Sequence, residues 1–246
     1  MQDSHDPRLS SSQVRSRYNH PSWFGSIDRW HRFTATELQR EIAHFWKSMP
    51  IPADCAILNA GAGGNDLDLL PDNTINLDIS ERRIQSSTFP VVGSVEAVPF
   101  KDHCVDIVLC IGSVINYADA ALTISEFERV LRPNGMLILE FESSKSAELI
   151  TQEAFGRSAA VAETFYCGRA EAVWVYSPKY IFNLLRAAGF TARKHVAVHV
   201  LSPWILLLLR NLNAATLIAR LDRVGRQFAC LNRFASNHLV FYQKCT

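Results

Sequence analysis

The chain has 246 residues, of which 48% are hydrophobic, and its 25 Lys and Arg nearly balance its 24 Asp and Glu. These values are typical of one large α/β domain with additions, and they argue against a general role in binding nucleic-acid phosphates. The charge is uneven, however, because residues 186–246 carry nine Lys or Arg and a single acid, Asp222. A basic segment of this kind favours an anionic neighbour.

Several features bear on the compartment in which the protein works. The six cysteines are scattered, without a CxxC pair or a His cluster at metal-binding spacing, so we expect reduced thiols, no metal site and a cytoplasmic protein. Residues 1–17 are polar and lack the apolar core of a secretory signal, which predicts a flexible arm. The longest apolar run, WILLLL at 204–209, is far shorter than the roughly 20 residues that span a bilayer.

The first predicted elements are helical. Large apolar residues recur every three or four positions over 18–50, which predicts a cap of two helices with Thr34 or Thr36 at the start of the second. Five short apolar runs then follow, and such runs are typical of buried parallel strands. They are CAILN (55–59), TINLD (74–78), FPVVG (89–93), VDIVLCI (105–111) and MLILEF (136–141).

Helical patterns lie between and after these strands, at 121–131 and 180–190, and two further strands are predicted at 191–201 and 237–245. A hairpin is predicted at 161–176 and a helical insertion at 203–235. The alternation predicts a doubly wound, Rossmann-like α/β domain over 51–246. We expect a seven-stranded sheet, mostly parallel with an antiparallel last strand.

The segment after the first strand is rich in residues with little or no side chain. Gly61, Ala62, Gly63 and Gly64 follow that strand, and Asp78 closes the next. Carboxyl ends of parallel strands meet at one edge of a sheet, so a ligand there could approach bare backbone while Asp78 accepts ribose hydroxyls. The dinucleotide fingerprint GxGxxG needs glycine at position 66, where Asp66 would repel a pyrophosphate. An adenosine ligand without phosphates therefore fits better.

Five motifs carry a resemblance to a known family. In chain order they are LNAGAGG, NLDIS, VGSVEAVPF, VDIVLCIGSVINY and ERVLRPNGMLILEF. Together they resemble the class I S-adenosylmethionine-dependent methyltransferases, of the type that carries LPF and LRPGG motifs. The resemblance covers roughly residues 55–190 and implies S-adenosyl-L-methionine as the cofactor.

The resemblance also implies roles for particular positions. The glycines would pass close to the methionine and ribose, Asp78 would hold the ribose hydroxyls, and residues 94–96 would read the adenine. Two positions depart from the family, because Asn59 and Ser94 each stand where an acid is usual. The implied cofactor site comprises Asn59, Gly61, Ala62, Gly63, Asp78, Ile79, Ser94, Val95, Glu96, Cys110 and Ile111.

Methyl transfer asks mainly that the acceptor be held in line with the methyl group. If the acceptor must lose a proton, the candidate bases at the carboxyl edge are Glu142, Tyr117, His103, His199 and Tyr166, and the sequence singles out none of them. The favoured interpretation is a methyltransferase for a small, partly hydrophobic acceptor. The alternative is a catalytically lapsed cofactor-binding or partner-regulating protein.

The insertion at 203–235 leaves the pocket side of the sheet if the strand before it runs parallel to the others. We therefore predict that the insertion and the hairpin form a lid over the acceptor. The apolar run and nearby arginines of 203–226 also suit an interfacial helix on anionic lipid, and a helical hairpin packed on the domain is an equal alternative. No nucleic-acid partner is expected.

Overall fold

The computed structural model describes residues 10–20, 28–49, 51–52, 54–63, 69–166 and 169–246. Gly64 and Asp66 of the glycine-rich segment lie outside this part, as do the residues of the first predicted cap helix between 21 and 27. The helices are α1 (Ser11–Asn19), α2 (Arg29–Ser48), α3 (Glu81–Ile84), α4 (Ala120–Val130) and α5 (Pro178–Ala187), followed by α6 (Ser202–Leu209), α7 (Leu212–Ala219), α8 (Asp222–Gly225) and α9 (Ala229–Asn232).

Seven strands form one sheet in the order β3-β2-β1-β4-β5-β9-β8. They are β1 (Ile57–Ala60), β2 (Ile75–Asp78), β3 (Pro90–Val92), β4 (Val105–Cys110), β5 (Leu131–Glu142), β8 (Phe190–Val198) and β9 (Asn237–Lys244). The first five are parallel, and β9 runs antiparallel between β5 and β8. This topology confirms the predicted seven-stranded doubly wound fold with an antiparallel last strand.

Helices cover both faces of the sheet. On one face, Phe127 of α4 and Leu185 of α5 are fully buried against the strands. On the other, Leu38 and Ile42 of α2 pack against β1, β4, β5, β8 and β9. Residues four apart on a helix share a face, which explains why Leu38 and Ile42 point together into the core.

The amino-terminal helices differ from the prediction. Helix α2 begins at Arg29, because the Asp28 carboxylate accepts the backbone N–H of His31 at 2.9 Å and caps the helix. Thr34 and Thr36 lie inside α2, where their hydroxyls donate to carbonyls four residues back. Helix α1 begins within the segment predicted as a flexible arm, and Ser10 caps it.

The hairpin β6 (Ala159–Tyr166) and β7 (Arg169–Tyr176) forms a separate two-stranded sheet. Strand β8 runs parallel to β5, since both pair antiparallel with β9. The insertion, defined from here as Ser202–Asn232, therefore leaves the carboxyl edge of the sheet. Among the described residues, no helix is both long and apolar enough to cross a membrane.

Ion pairs join the insertion to α2. The Glu37 carboxylate, whose residue is only 2% exposed, accepts from Arg223 at 2.8 Å and Arg226 at 3.1 Å, as well as from Arg40 within α2. Burial opposes ionisation of Glu37, but the three guanidinium groups outweigh it and lower its pKa. The first long helix and the last helices are thus coupled through one buried carboxylate.

We expect Glu37→Ala to lower the free energy of unfolding by roughly 3 kcal/mol at neutral pH, because Arg226, which is mostly buried, loses one of its two carboxylate partners and keeps only Glu41. The loss should shrink in acid, since a carboxylate with a lowered pKa stabilises the fold above its ordinary pKa of 4.5 and ceases to do so as the pH falls below it. Urea unfolding at both pH values measures this. Glu163→Ala, at an exposed position, is the matched control, and an equal loss there would contradict the assignment.

Candidate functional site

A cavity of about 1240 Å³ lies at the carboxyl edge of the sheet. Its lining comes from the ends of the first five strands, from α1 and α2, from the hairpin and from the insertion. Strand order reverses between β1 and β4, and ligands of open α/β sheets bind at such a point. Ten of the eleven predicted cofactor residues line this cavity, namely Asn59, Gly61, Ala62, Gly63, Asp78, Ile79, Ser94, Val95, Glu96 and Ile111.

The glycine-rich turn is held by its own backbone. The N–H groups of Gly61 and Ala62 both donate to the Leu77 carbonyl, at 2.7 and 2.9 Å, so they do not face the cavity as bare donors. Gly61 has a φ of +77°, and a Cβ there would lie 2.3 Å from Val114 Cγ2. Glycine is therefore required at 61 by the backbone and by Val114. At Gly63 a Cβ would meet nothing closer than 3.8 Å.

Asp78 ties this turn to the end of β2. Its Oδ2 accepts the N–H of Gly63 at 2.8 Å and its Oδ1 accepts the N–H of Ser80 at 2.7 Å. Burial raises the pKa of the Asp78 carboxyl, although these two N–H groups and Arg83 oppose the rise. A carboxylate offers about four acceptor sites, so these bonds leave capacity to accept from a hydroxyl group of a ligand.

Residues 94–96 form a tight turn after β3. Ser94 Oγ accepts the Glu96 N–H at 3.1 Å, and Glu96 Oε1 accepts the N–H of Asp119 at 2.6 Å. Both side chains thus hold the turn, which lies beside Ile79 on the cavity wall. Arg15 of α1 donates to the Ile79 carbonyl at 3.0 Å and brings α1 to the same wall.

The methionine end of the predicted site contains Asn59 and Ile111. Asn59 is 3% exposed and its Nδ2 donates to Asn76 Oδ1 at 3.0 Å, which leaves its carbonyl oxygen as an acceptor for a ligand. Cys110 is fully buried in the core and does not line the cavity, unlike Ile111. Cys110 is the last residue of β4 and packs in the core, whereas Ile111 follows the strand and reaches the cavity.

Three glutamates lie along the end of β5 and the turn after it. Glu140 is fully buried and accepts from Ser113 N at 2.5 Å and Asn237 Nδ2 at 2.7 Å. Burial, followed by the charge of Glu140, raises the pKa of Glu142 to about 8, and burial also raises the pKa of Glu148. A cationic ligand bound beside these groups would favour their ionised forms and lower their pKa values. The described residues hold no group of three side chains placed as metal ligands.

The predicted bases fall into two groups. Glu142 and Tyr117 line the cavity, but the Tyr117 hydroxyl donates to Glu171 at 2.7 Å and burial raises its pKa well above the usual value. His103 lies before β4, at the opposite edge of the sheet, where its Nδ1 is 3.0 Å from the Leu131 carbonyl. The prediction that His103 lies at the carboxyl edge is therefore wrong, because the chain enters β4 there.

His199 is also outside the cavity lining. Its ring stacks on Trp30 with centroids 3.7 Å apart, and its nitrogens lie 2.7 Å from Thr34 Oγ1 and 2.9 Å from Ser202 Oγ. Burial lowers its pKa well below the usual value. His199 is thus a neutral packing residue between α2 and the insertion. The side chain of Tyr166, at the end of β6, lies outside the described part.

Sequence reasoning missed an imidazole–carboxylate pair at the start of α2. His31 Nδ1 lies 2.8 Å from Asp28 Oδ2, and both residues line the cavity. Burial opposes ionisation of Asp28, but its hydrogen bonds and charge interaction with His31 outweigh it and lower its pKa. Glu148 lines the same cavity as this pair. The spacing Asp-x-x-His at the start of a helix is the sequence signal that could have revealed this pair.

Comparison with known proteins finds a similarity to methyltransferases in part of the chain. Residues 58–139, about a third of the chain, match the family profile of a methyltransferase domain. This stretch contains β1 to β4, α4 and most of β5. A search of curated proteins found no match.

Solved structures share the fold over most of the chain. The cyclase SpnF is 13% identical with a TM-score of 0.60, and 98% of each chain is covered. A SAM-dependent methyltransferase from Methanosarcina mazei is 16% identical with a TM-score of 0.55, over 83% of this chain and 97% of that chain. A SAM-dependent methyltransferase from Thermotoga maritima, described as a possible histamine N-methyltransferase, is 16% identical with a TM-score of 0.55, over 96% and 97%.

Identities this low establish the fold alone. Together with the profile match, these relatives support a class I S-adenosylmethionine-dependent methyltransferase domain.

We expect Glu142→Gln to be more stable than the wild type at and above pH 8 and equally stable below pH 4.5. The native state keeps the Glu142 proton up to a pKa of about 8, whereas the unfolded chain releases it near 4.5, so ionisation costs stability between these values. Melting temperatures from pH 4 to 9 test this. Glu163→Gln, an exposed carboxylate on the same cavity, should show no such trend, and a flat difference for Glu142→Gln would contradict the assignment.

Proposed function

We propose that the protein transfers a methyl group from S-adenosyl-L-methionine to a small, partly hydrophobic acceptor. The observation that carries this proposal is the convergence of five strand ends on one cavity, with Asp78 and the glycine-rich turn beside the strand reversal. The match of residues 58–139 to a methyltransferase domain supports it.

The residues present fit this cofactor. Asp78 keeps acceptor sites for the ribose hydroxyls, Gly63 presents no side chain, and Ile79 and Val95 offer apolar walls to the adenine. Asn59 offers a carbonyl oxygen to the ammonium. When bound, S-adenosyl-L-methionine supplies a methyl group that the sulfonium makes electrophilic. Glu140, which accepts from Ser113 and Asn237, places a carboxylate on the adjoining wall, where it suits a cation.

The family subtype with LPF and LRPGG motifs is part of the proposal. Here these segments read VPF at 98–100 and LRPNG at 131–135. Arg129, just before the second segment, donates to the carbonyls of Val98 at 2.9 Å and Phe100 at 2.7 Å. One guanidinium therefore joins both motifs, which gives their joint occurrence a structural reason.

The acceptor end of the cavity combines apolar and acidic groups. Trp30 of α2, Leu149 and the insertion residues Leu206 and Leu207 provide apolar surface, and Glu148 lies among them. Such a lining favours an acceptor with an apolar body and a polar or basic reacting group.

We assign the proton-accepting role to His31. Asp28 Oδ2 accepts from His31 Nδ1, which favours the tautomer whose Nε2 is the proton acceptor and fixes the ring in place. The pair lines the same cavity as the predicted cofactor residues. Glu142, with its pKa of about 8, is protonated at neutral pH and is less suited to accept a proton there.

A cofactor-binding protein without catalytic activity is the second candidate. Asn59 and Ser94 favour it, because each replaces a carboxylate by a neutral group, and Ser94 already accepts from Glu96. Binding with no transfer to any acceptor is the behaviour that it predicts.

Asp78→Ala should weaken binding of S-adenosyl-L-methionine by about 1 to 3 kcal/mol, the cost of losing hydrogen bonds to a charged group. Isothermal titration calorimetry measures the dissociation constant. The control is Asp102→Ala, which removes an exposed carboxylate that pairs with Arg129. Asp102 lies before β4, so this variant should leave cofactor binding unchanged. An unchanged constant for Asp78→Ala would remove Asp78 from the cofactor site.

His31→Asn should slow methyl transfer by about a hundredfold or more, as expected for loss of a general base, with cofactor affinity unchanged. The assay follows tritiated methyl groups from the cofactor into small molecules of a cell extract. His44→Asn, an exposed position on the same helix, is the control. An active His31→Asn protein would refute the assignment of the base, while a wild type that binds the cofactor tightly and labels nothing would favour the second candidate.

A further inference from the structure

The insertion exposes an unusual amount of apolar surface. Eight large hydrophobic side chains of the described residues are more than half exposed, and six of them lie in the insertion. We call these six the lid face: Leu208, Leu209, Leu217, Leu221, Val224 and Phe228. A single exposed leucine needs no explanation, but a cluster of this kind marks an interaction surface.

Helical geometry brings three of these side chains together. Leu217, Leu221 and Val224 are spaced by four and three residues, and the chain stays in the right-handed helical region at Arg220 and Leu221 between α7 and α8, whereas Phe228 follows α8 with an extended backbone. Such spacing repeats one face of a helix. The lid face is therefore the outer side of the insertion, opposite the residues that hold it to the domain.

The surroundings of the lid face are cationic. Arg210, Arg220 and Arg233 are exposed, whereas the only acid of the insertion, Asp222, is buried. Asp222 is occupied internally, since it accepts from Ser202 Oγ at 2.7 Å and from the N–H of Leu201 at 2.7 Å. The exposed surface thus combines large apolar groups with positive charge and offers no exposed carboxylate of its own.

We propose that the lid face docks on an anionic lipid surface. Apolar side chains enter the boundary between headgroups and acyl chains, while arginines beside them attract anionic headgroups. A second copy of the chain is a poorer occupant, because two copies packed through this face would bring their arginines together with no exposed acid of the insertion between them.

The lid face is continuous with the cavity. Leu206, Leu207 and Arg210 line the cavity, and Leu208 and Leu209, their neighbours on the same chain turn, face outward. Docking therefore brings the mouth of the cavity to the lipid surface, and the acceptor is an amphiphile taken from that surface. This identification of the acceptor rests on the proposed function, whereas the docking itself does not.

The test is sedimentation of the full chain with two kinds of vesicle, phosphatidylcholine alone and phosphatidylcholine mixed with phosphatidylglycerol. We expect binding to the mixed vesicles, weaker binding to the neutral ones, and release by salt. Phe228→Glu and Leu221→Glu should each lower the binding constant for mixed vesicles by about tenfold or more. Both positions are exposed, so unchanged melting temperatures establish that the variants fold.

Leu122→Glu is the matched control, because Leu122 on α4 is 57% exposed, close to the 54% of Phe228, and lies outside the insertion. It should bind as the wild type does. No binding to mixed vesicles, or equal losses in all three variants, would overturn the proposal, as would light scattering that shows a dimer which Phe228→Glu dissociates.

Cofactor calorimetry on the same proteins separates the two hypotheses. Vesicle binding without cofactor binding would support docking on lipid and refute the proposed methyltransferase function. Cofactor binding without vesicle binding would refute only the docking.

Discussion

The parallel pairing of β1 with both β2 and β4 is the constraint on which the rest of the structure depends. Leu58 lies beside Ile75 on one side and Val108 on the other, so the three strands end at the same level. The backbone of the glycine-rich turn then reaches the Leu77 carbonyl and the Asp78 carboxylate. This register places the cavity at the strand reversal.

Buried carboxyl groups line the cavity, and their ionisation lowers the stability of the fold. Glu140 accepts hydrogen bonds from Ser113 and Asn237, but burial still raises its pKa. The pKa of Glu142, beside it, is raised by burial and further by the charge of Glu140. Acids held in this way cost stability whenever they ionise, which is expected where electrostatics serve a ligand rather than the core. The fold offsets this by extensive apolar burial on both faces of the sheet.

Elements far apart in the chain close the cavity together. Helix α2 supplies Trp30 and His31 near its start and Glu37 further along, and Glu37 holds the arginines of the insertion. The packing of His199 against Trp30 and Thr34 adds a second link between α2 and the end of β8. The part of the cavity near Trp30 is therefore assembled from segments far apart in the chain, whereas the predicted cofactor residues all lie within the part that matches a methyltransferase domain.

The sequence alone determined the sheet and predicted ten residues that line one cavity, because buried strands, glycines and Asp78 carry their signal in short local patterns. It could not place His103 and His199, since the edge at which a histidine lies depends on strand direction and packing. Cys110 and Ile111 show the same limit, because only strand geometry decides which neighbour faces the cavity. The Asp28–His31 pair depended on where α2 begins. The outward direction of the lid face depended on which side of the insertion is bound to Glu37. Tertiary structure decided these features because each is a contact between segments that the sequence keeps far apart.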